Sequence, residues 1–450
     1  MRIPREKDAG IPIFAIDVTL NYASLVLNFL LASITGVILA RSLGPAGKGV
    51  FSLCITIPSM AAVLVSLGIN SSNVYLIAKK KYPIGLIAGN AFFYSVCAGS
   101  LAAIVLRLLA PFYAERLFGD TPPIVFYAAL PMIPLVLLFE NITYIFIGFR
   151  NMFQHAVVSV GRTLVYCLLL IVFLYPSGLL ISEALGAYIC GLVFSVILGT
   201  YILFRNGYLQ GLALNNRTFL DALRFGLKQH LGTIAQFFNY RLDLLIIAVL
   251  LNTTSVGLYS VAVMLSEVVW YFPRALGTVL FPKTASSDRG TADSFTPFAC
   301  RSTILVTLPV IVALFLVSAR LIPWVFSSAF EPSVLTLKLL LPGVLFFSVG
   351  KVIASDIVGR GYPHYNSVAA TVALALTVIL DLLLIPRWGI NGAAVATTIT
   401  YIVHTTLIAL LFKKITGIGL IQLVRFQKSD FVAYYEVTQS ILKKVSPRGA

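Results

Sequence analysis

The chain is poor in charge, and poorer still in acid. Of 450 residues 11% are charged, and 17 acidic residues stand against 33 lysines and arginines. Soluble domains carry about 25% charged residues, so this chain cannot build a water-facing surface. Cysteine is scarce as well. Cys54, Cys97, Cys167, Cys190 and Cys300 are scattered, mostly inside apolar runs. No pair has metal-ligand spacing, which leaves them as small packing residues. His155, His230, His364 and His404 are equally dispersed, with no spacing for a metal site. Long polar segments are missing too; the longest are residues 205–227 and the tail after Leu411. Neither has room for a catalytic domain, so no enzyme, cofactor or metal is expected. The net charge of +16 sits in short loops rather than in a compact basic domain. That pattern excludes nucleic acid as the partner and points to membrane orientation.

What the chain has in abundance is apolar residues, 59% of the total. They come in runs near twenty residues, long enough to cross a bilayer as a helix. In hydrocarbon every backbone N–H and C=O must be paired, which leaves helices or a closed barrel. Barrel strands would alternate polar and apolar positions; these runs are continuous. The reading is an all-α membrane protein with about twelve transmembrane helices, at 14–39, 51–77, 84–110, 123–147, 155–175, 181–204, 228–251, 256–281, 301–326, 332–358, 364–385 and 391–412. The first run, Phe14 to Leu39, follows positive charges as a signal peptide would. It is too long for a signal core and ends at Ala40-Arg41 without a cleavage pattern, so it reads as the first span.

Lysine and arginine set the orientation. One alternating set of segments holds Arg2, Arg5, Lys7, Lys79, Lys80, Lys81, Arg150, Arg205, Arg217, Arg224, Lys228, Lys283, Arg289, Arg301, Arg360, Lys413, Lys414, Arg425, Lys428, Lys443, Lys444 and Arg448. The other holds Arg41, Lys48, Arg116 and Arg387. The expectation is a multi-pass protein of the cytoplasmic membrane with both termini inside. The 205–227 segment divides the spans six and six. The expected organisation is a tail 1–13, a first lobe 14–204, a linker 205–227, a second lobe 228–412 and a tail 413–450. A short repeat supports the division. Leu43 to Leu53 and Leu251 to Val261 both read Leu, five residues, Gly, one residue, aromatic, Ser, aliphatic. Each copy is a turn on the sparsely charged face before an even-numbered span, so the lobes are expected to be parallel repeats.

Several segments resemble the polysaccharide flippase family of the multidrug/oligosaccharidyl-lipid/polysaccharide exporter superfamily. The turn Ala40-Arg41-Ser42-Leu43-Gly44-Pro45-Ala46-Gly47-Lys48-Gly49-Val50-Phe51 is similar to its first outer loop. Gly68 to Lys80 is similar to the end of its second span, and Leu280-Phe281-Pro282-Lys283 to the end of its eighth. The most specific stretch, Leu382-Leu383-Leu384-Ile385-Pro386-Arg387-Trp388-Gly389-Ile390-Asn391-Gly392-Ala393-Ala394-Val395-Ala396-Thr397, resembles the turn between spans eleven and twelve. Asp381 departs from the pattern, where Asn is more usual. The resemblance implies a two-lobed V around a central cavity that works by alternating access. It implies as cargo a lipid-linked glycan on a polyprenyl diphosphate. Membrane lipids, and other polysaccharide-assembly membrane proteins, are the further partners expected.

Charges inside spans are costly and normally face the bundle interior. Seven basic residues lie there. Arg241 lies 13 residues beyond Lys228, roughly 20 Å along a helix and near the middle of the bilayer. A guanidinium suits phosphate, so Arg241 is the first candidate for the diphosphate; the competing reading is an ion pair with Glu140 or Glu267. Arg162 and Lys351 sit nearer the basic face as candidates for attracting the headgroup. Arg107, Arg274, Arg320 and Lys338 read as snorkelling residues, and Arg41 as structural. The intramembrane acids are Asp17, Glu140, Asp243, Glu267, Asp356 and Asp381. Asp243 and Glu267 are the preferred ion-coupling candidates, whereas Asp17 and Asp381 read as structural residues near span ends. Arg241 and Asp243 are about 200° apart around a helix, so they need different partners. Three rivals remain: a multidrug cation antiporter of the same fold, a membrane glycan polymerase or ligase, and a structural partner in a glycan-assembly complex. The basic residues in the spans count against the first, and the short outer loops against the second.

Overall fold

The computed structural model describes residues 11–119, 121–177, 179–286, 289–427 and 430. Residues 1–10 and 431–450 lie outside the described residues, and so do the side chains of Asp17, Lys283 and Arg289. Among the described residues all regular structure is helical: α1 (Ile11–Val65), α2 (Ile69–Ala78), α3 (Ile84–Phe118), α4 (Pro123–Ala129), α5 (Met132–Gly148), α6 (Met152–Ser177), α7 (Ile181–Arg205), α8 (Asn216–Leu250), α9 (Thr253–Glu267), α10 (Tyr271–Ser286), α11 (Arg289–Val325), α12 (Ser333–Gly359), α13 (Pro363–Trp388), α14 (Ile390–Thr416) and α15 (Leu420–Val424), plus two single-turn 3-10 helices.

Among the described residues eleven helical stretches are long and apolar enough to cross a bilayer. The first must be two crossings. At 55 residues α1 would be roughly 80 Å long, more than twice the hydrocarbon thickness of about 30 Å. It breaks at Gly44, with φ 64° and ψ −177°, just before Pro45. Glycine enters that region without a side-chain clash, and proline cannot donate back into the preceding turn. Two arms joined there restore the twelve crossings.

Two expected boundaries shift. The second span is not one helix, because the chain leaves α1 at Val65 and starts α2 only after Gly68, which has φ 69°. The 205–227 linker is only half irregular. Asn215 caps α8 by accepting the Thr218 amide at 2.9 Å, and the helix then runs 35 residues without interruption. Its first turns reach back to the first half. Asn90 exchanges hydrogen bonds with the backbone of Asn215, at 2.9 and 3.0 Å. Ser72 donates to the Ala222 carbonyl at 2.6 Å. Tyr75 stacks on Phe225 with ring centroids 4.3 Å apart. Beyond those turns α8 packs on α13 of the second half.

The apolar core is divided unequally. Toward the face of Arg41 and Arg387 one cluster runs through both halves, holding Leu39, Phe51 and Leu53 together with Val256, Tyr259, Phe330 and Leu337. Toward the basic face it splits. Leu76, Ile87, Ile145, Phe146 and Leu203 form a core of the first half. Leu280, Val352, Ile353, Ile408 and Phe412 form a separate core of the second. The halves are joined at one face and distinct at the other, so the space between them belongs to the basic side.

Candidate functional site

Three groups of polar side chains stand on α8 and the helices beside it, and Arg162 lies apart from them. The first sits on α8 and α9. Arg241 Nη1 donates to Glu267 Oε1 at 3.0 Å, and Nη2 to Oε2 at 3.4 Å. This two-pronged pair holds the guanidinium plane. Both side chains keep about a third of their surface or less exposed, 33% and 27%. A charged pair exposed inside an apolar bundle faces water rather than lipid. Glu267, expected as an ion site, is thus the partner of Arg241.

Lys351 on α12 forms the second group. Its Nζ donates to Tyr240 Oη at 2.9 Å. The same ammonium lies 4.5 Å from the Trp270 ring centroid, 4.9 Å from Phe347 and 5.0 Å from Tyr240. Tyr401 stacks on Phe347 at 4.4 Å. Cation–π attraction holds such an ammonium at the ring faces. Because Tyr240 precedes Arg241 on α8, the box and the ion pair adjoin. Arg162 belongs to a different wall. It lies on α6 with its guanidinium 4.5 Å from the Phe139 ring, within electrostatic reach of Glu140. Glu140 accepts from Asn70 at 3.1 Å. Nearby Thr163 donates to Asn28 at 2.6 Å and Asn28 to Ser159 at 3.3 Å, tying α6 to α1.

The third group is wholly buried. Asp243, 3% exposed, points away from Arg241. Its Oδ2 accepts from Tyr259 and, at 3.4 Å, from Thr397. Its Oδ1 has no partner among the described residues. Asp381 on α13 is 0% exposed, lies within electrostatic reach of Asp243, and has no hydrogen-bond partner on either oxygen among the described residues. Four residues before each carboxylate, Thr377 on α13 donates to Asn239 on α8 at 3.4 Å, and it also meets Thr400 at 3.3 Å. Sequence reasoning missed Asp381 by placing it at a span end; α13 in fact continues to Trp388 and buries it. Its one visible signal was the departure from the Asn usual in the resembled family. Asp356, by contrast, is neutralised: Arg360 Nε donates to it at 2.6 Å and Thr296 at 2.9 Å.

A profile of the family described as polysaccharide biosynthesis protein matches residues 15–287, more than half of the chain. The chain belongs to this family. It is 24% identical, over 237 residues, to the probable low-salt glycan biosynthesis flippase Agl15 of Haloferax volcanii, covering 51% of this chain and 50% of that protein. The chain spans about half the length of the curated relatives at the head of the comparison. Several solved structures share its fold. An inward-facing multidrug resistance MATE family transporter of the MOP superfamily superposes with TM-score 0.74 at 15% identity, over 87% of this chain and 94% of that one. The lipid II flippase MurJ in an inward closed conformation gives 0.72 at 16% identity, over 94% and 96%. The chain thus combines membership of the polysaccharide biosynthesis family with a fold shared by these two membrane proteins.

Proposed function

We propose that this member of the polysaccharide biosynthesis family flips a polyprenyl-diphosphate-linked oligosaccharide from the inner to the outer leaflet of the cytoplasmic membrane, for surface polysaccharide assembly. The basic face is then cytoplasmic. The observation that supports the reading is that three cations inside spans, Arg162, Arg241 and Lys351, are only part-buried in a bundle whose halves have separate cores toward the basic face. A diphosphate cannot cross hydrocarbon unpaired, because burying an isolated charge costs many kcal/mol. A cationic space between the halves removes that barrier while the polyprenyl chain stays in lipid. Glu267 balances Arg241 through two hydrogen bonds, and the arriving phosphate takes its place on the same two guanidinium nitrogens.

The buried Asp243 and Asp381 are the coupling site in this reading. Two buried carboxylates within electrostatic reach of each other cannot both stay charged unless a proton or a cation compensates them. Export of two negative charges down an inside-negative potential already gains about 5 kcal/mol at 100 mV, and ion return through this site would add direction.

The test is a proteoliposome carrying labelled glycolipid. Arg241→Ala is expected to slow flipping at least about tenfold, a loss of some 1.4 kcal/mol of cargo stabilisation, with the protein still inserted. Unchanged flipping would reject the role of Arg241, and flipping indifferent to potential, pH and sodium gradients would reject coupling. The two buried carboxylates also favour a second reading, cation antiport on the same fold. Uptake of a cationic dye without glycolipid flipping would decide for it.

A further inference from the structure

The duplicated turn has a geometry that the transport reading leaves unused. Its two glycines, Gly49 and Gly257, meet each other across the halves. A Cβ built on Gly49 would lie 1.7 Å from the carbonyl oxygen of Thr253. A Cβ built on Gly257 would lie 1.9 Å from the carbonyl oxygen of Pro45. Pro45 stands four residues before Gly49, and Thr253 four before Gly257. The contact is therefore reciprocal, as a two-fold axis running between the glycines requires. Each Cβ would also fall within 3.0 Å of the other glycine's nitrogen. Backbone lies on backbone, so no rotamer change relieves an added side chain.

Other contacts extend the seam. Arg41, on the first arm of α1, donates Nε to the Val325 carbonyl at 2.7 Å and Nη2 to the Trp324 carbonyl at the end of α11. Deeper in the membrane Gly36 packs against Met264 of α9. All three contacts join the first half to the second, and the two outermost lie where the shared core lies.

We propose that this crossing is the outer gate of the transporter, with the repeat glycines as its closing surfaces and Arg41 as its latch. Release of cargo outward must separate the halves on this face, and nothing covalent spans the crossing. The closure depends on shape: a methyl group on either glycine drives the two turns apart and shifts the population toward an outward-open form. Losing the Arg41 latch shifts it the same way by less. The inference rests on the transporter reading, but its test needs no cargo, so the two stand or fall separately.

The experiment uses the full chain in right-side-out vesicles, with the five native cysteines replaced and Met264→Cys as the reporter. A membrane-impermeant maleimide is added outside. Gly49→Ala and Gly257→Ala are each expected to raise the labelling rate about tenfold, and Arg41→Ala about threefold, as population shifts of that size imply. Gly186→Ala, whose Cβ would meet open space, is the control and is expected to leave the rate unchanged. If a glycine variant fails to insert, Arg41→Ala and the other glycine carry the test. Rates equal to the control in every variant that inserts would overturn the gate.

Discussion

The two faces of the molecule are held together differently. At the face of Arg41 and Arg387 one apolar cluster crosses from the first half to the second. At the basic face each half closes on its own core, and each core carries its own polar tie. In the second half that tie is Arg301, which donates to both oxygens of Asp430 at 2.7 Å. In the first half it is Asn141, bonded to Asn73 at 2.8 Å and to Ser95 at 3.0 Å. A shared core couples the halves, whereas separate cores let each behave as a rigid body. Alternating access needs both: bodies that stay intact, and a joint that opens. The first turns of α8 add an asymmetry, since they are fastened to the first half although the rest of the helix belongs to the second. Between His230, which bonds the Leu64 carbonyl at 3.1 Å, and Gly232, packed on Ser367 of α13, the helix passes from one body to the other.

The largest expected effect tests the independence of the second half. Arg301 and Asp430 are 4% and 2% exposed. Arg301→Ala leaves the buried Asp430 carboxylate without its counter-charge, although the Gln427 amide still donates to it at 2.8 Å, and is expected to cost about 3 kcal/mol, at the low end for removal of one partner of a buried pair. Hydrogen exchange is expected to speed up in α11 and α15 and to stay unchanged in α5. Faster exchange in both halves together would break the distinction between the faces. The next effect tests the shared core. Leu53 is 0% exposed, and Leu53→Ala is expected to cost about 3 kcal/mol through the lost contacts and the cavity left behind. Here exchange is expected to accelerate on both sides of the joint, in α9 as well as in α6. Acceleration confined to α6 would mean that the shared cluster does not couple the halves.

Much of this was legible along the chain. The number of crossings, the all-helical class and the duplicated turn follow from runs and local spacing, which hydropathy and glycine report directly. So does the divergence of Arg241 and Asp243, since two residues on a helix set their faces. Legibility ended where meaning depends on distant partners. Asp381 is separated from Asp243 by more than a hundred residues, and no local pattern says that α8 and α13 pack together. The aromatic box around Lys351 draws on α8, α12 and the turn at Trp270, each unremarkable alone. The repeat was visible, but that its two copies touch was not. Arg301 looked like one more loop charge, because its partner lies in the tail.

The smallest expected effect tests the first half. Asn141 is 3% exposed and Asn73 2%, so Asn141→Ala leaves the Asn73 amide buried without its acceptor. An unmet buried donor costs about 2 kcal/mol, less than a stranded carboxylate because an amide carries no net charge to desolvate. Exchange is expected to quicken in α2, α3 and α5, the helices that the asparagine ties together, and to stay unchanged in α12 and α14. The outer gate supplies the sharper half of this test. With the shared core intact, Met264→Cys labelling from outside is expected to be the same in Asn141→Ala as in the parent. A rise in labelling would show that loosening one body is enough to open the joint. The first half would then be part of the gate and not the rigid arm that the separate cores describe.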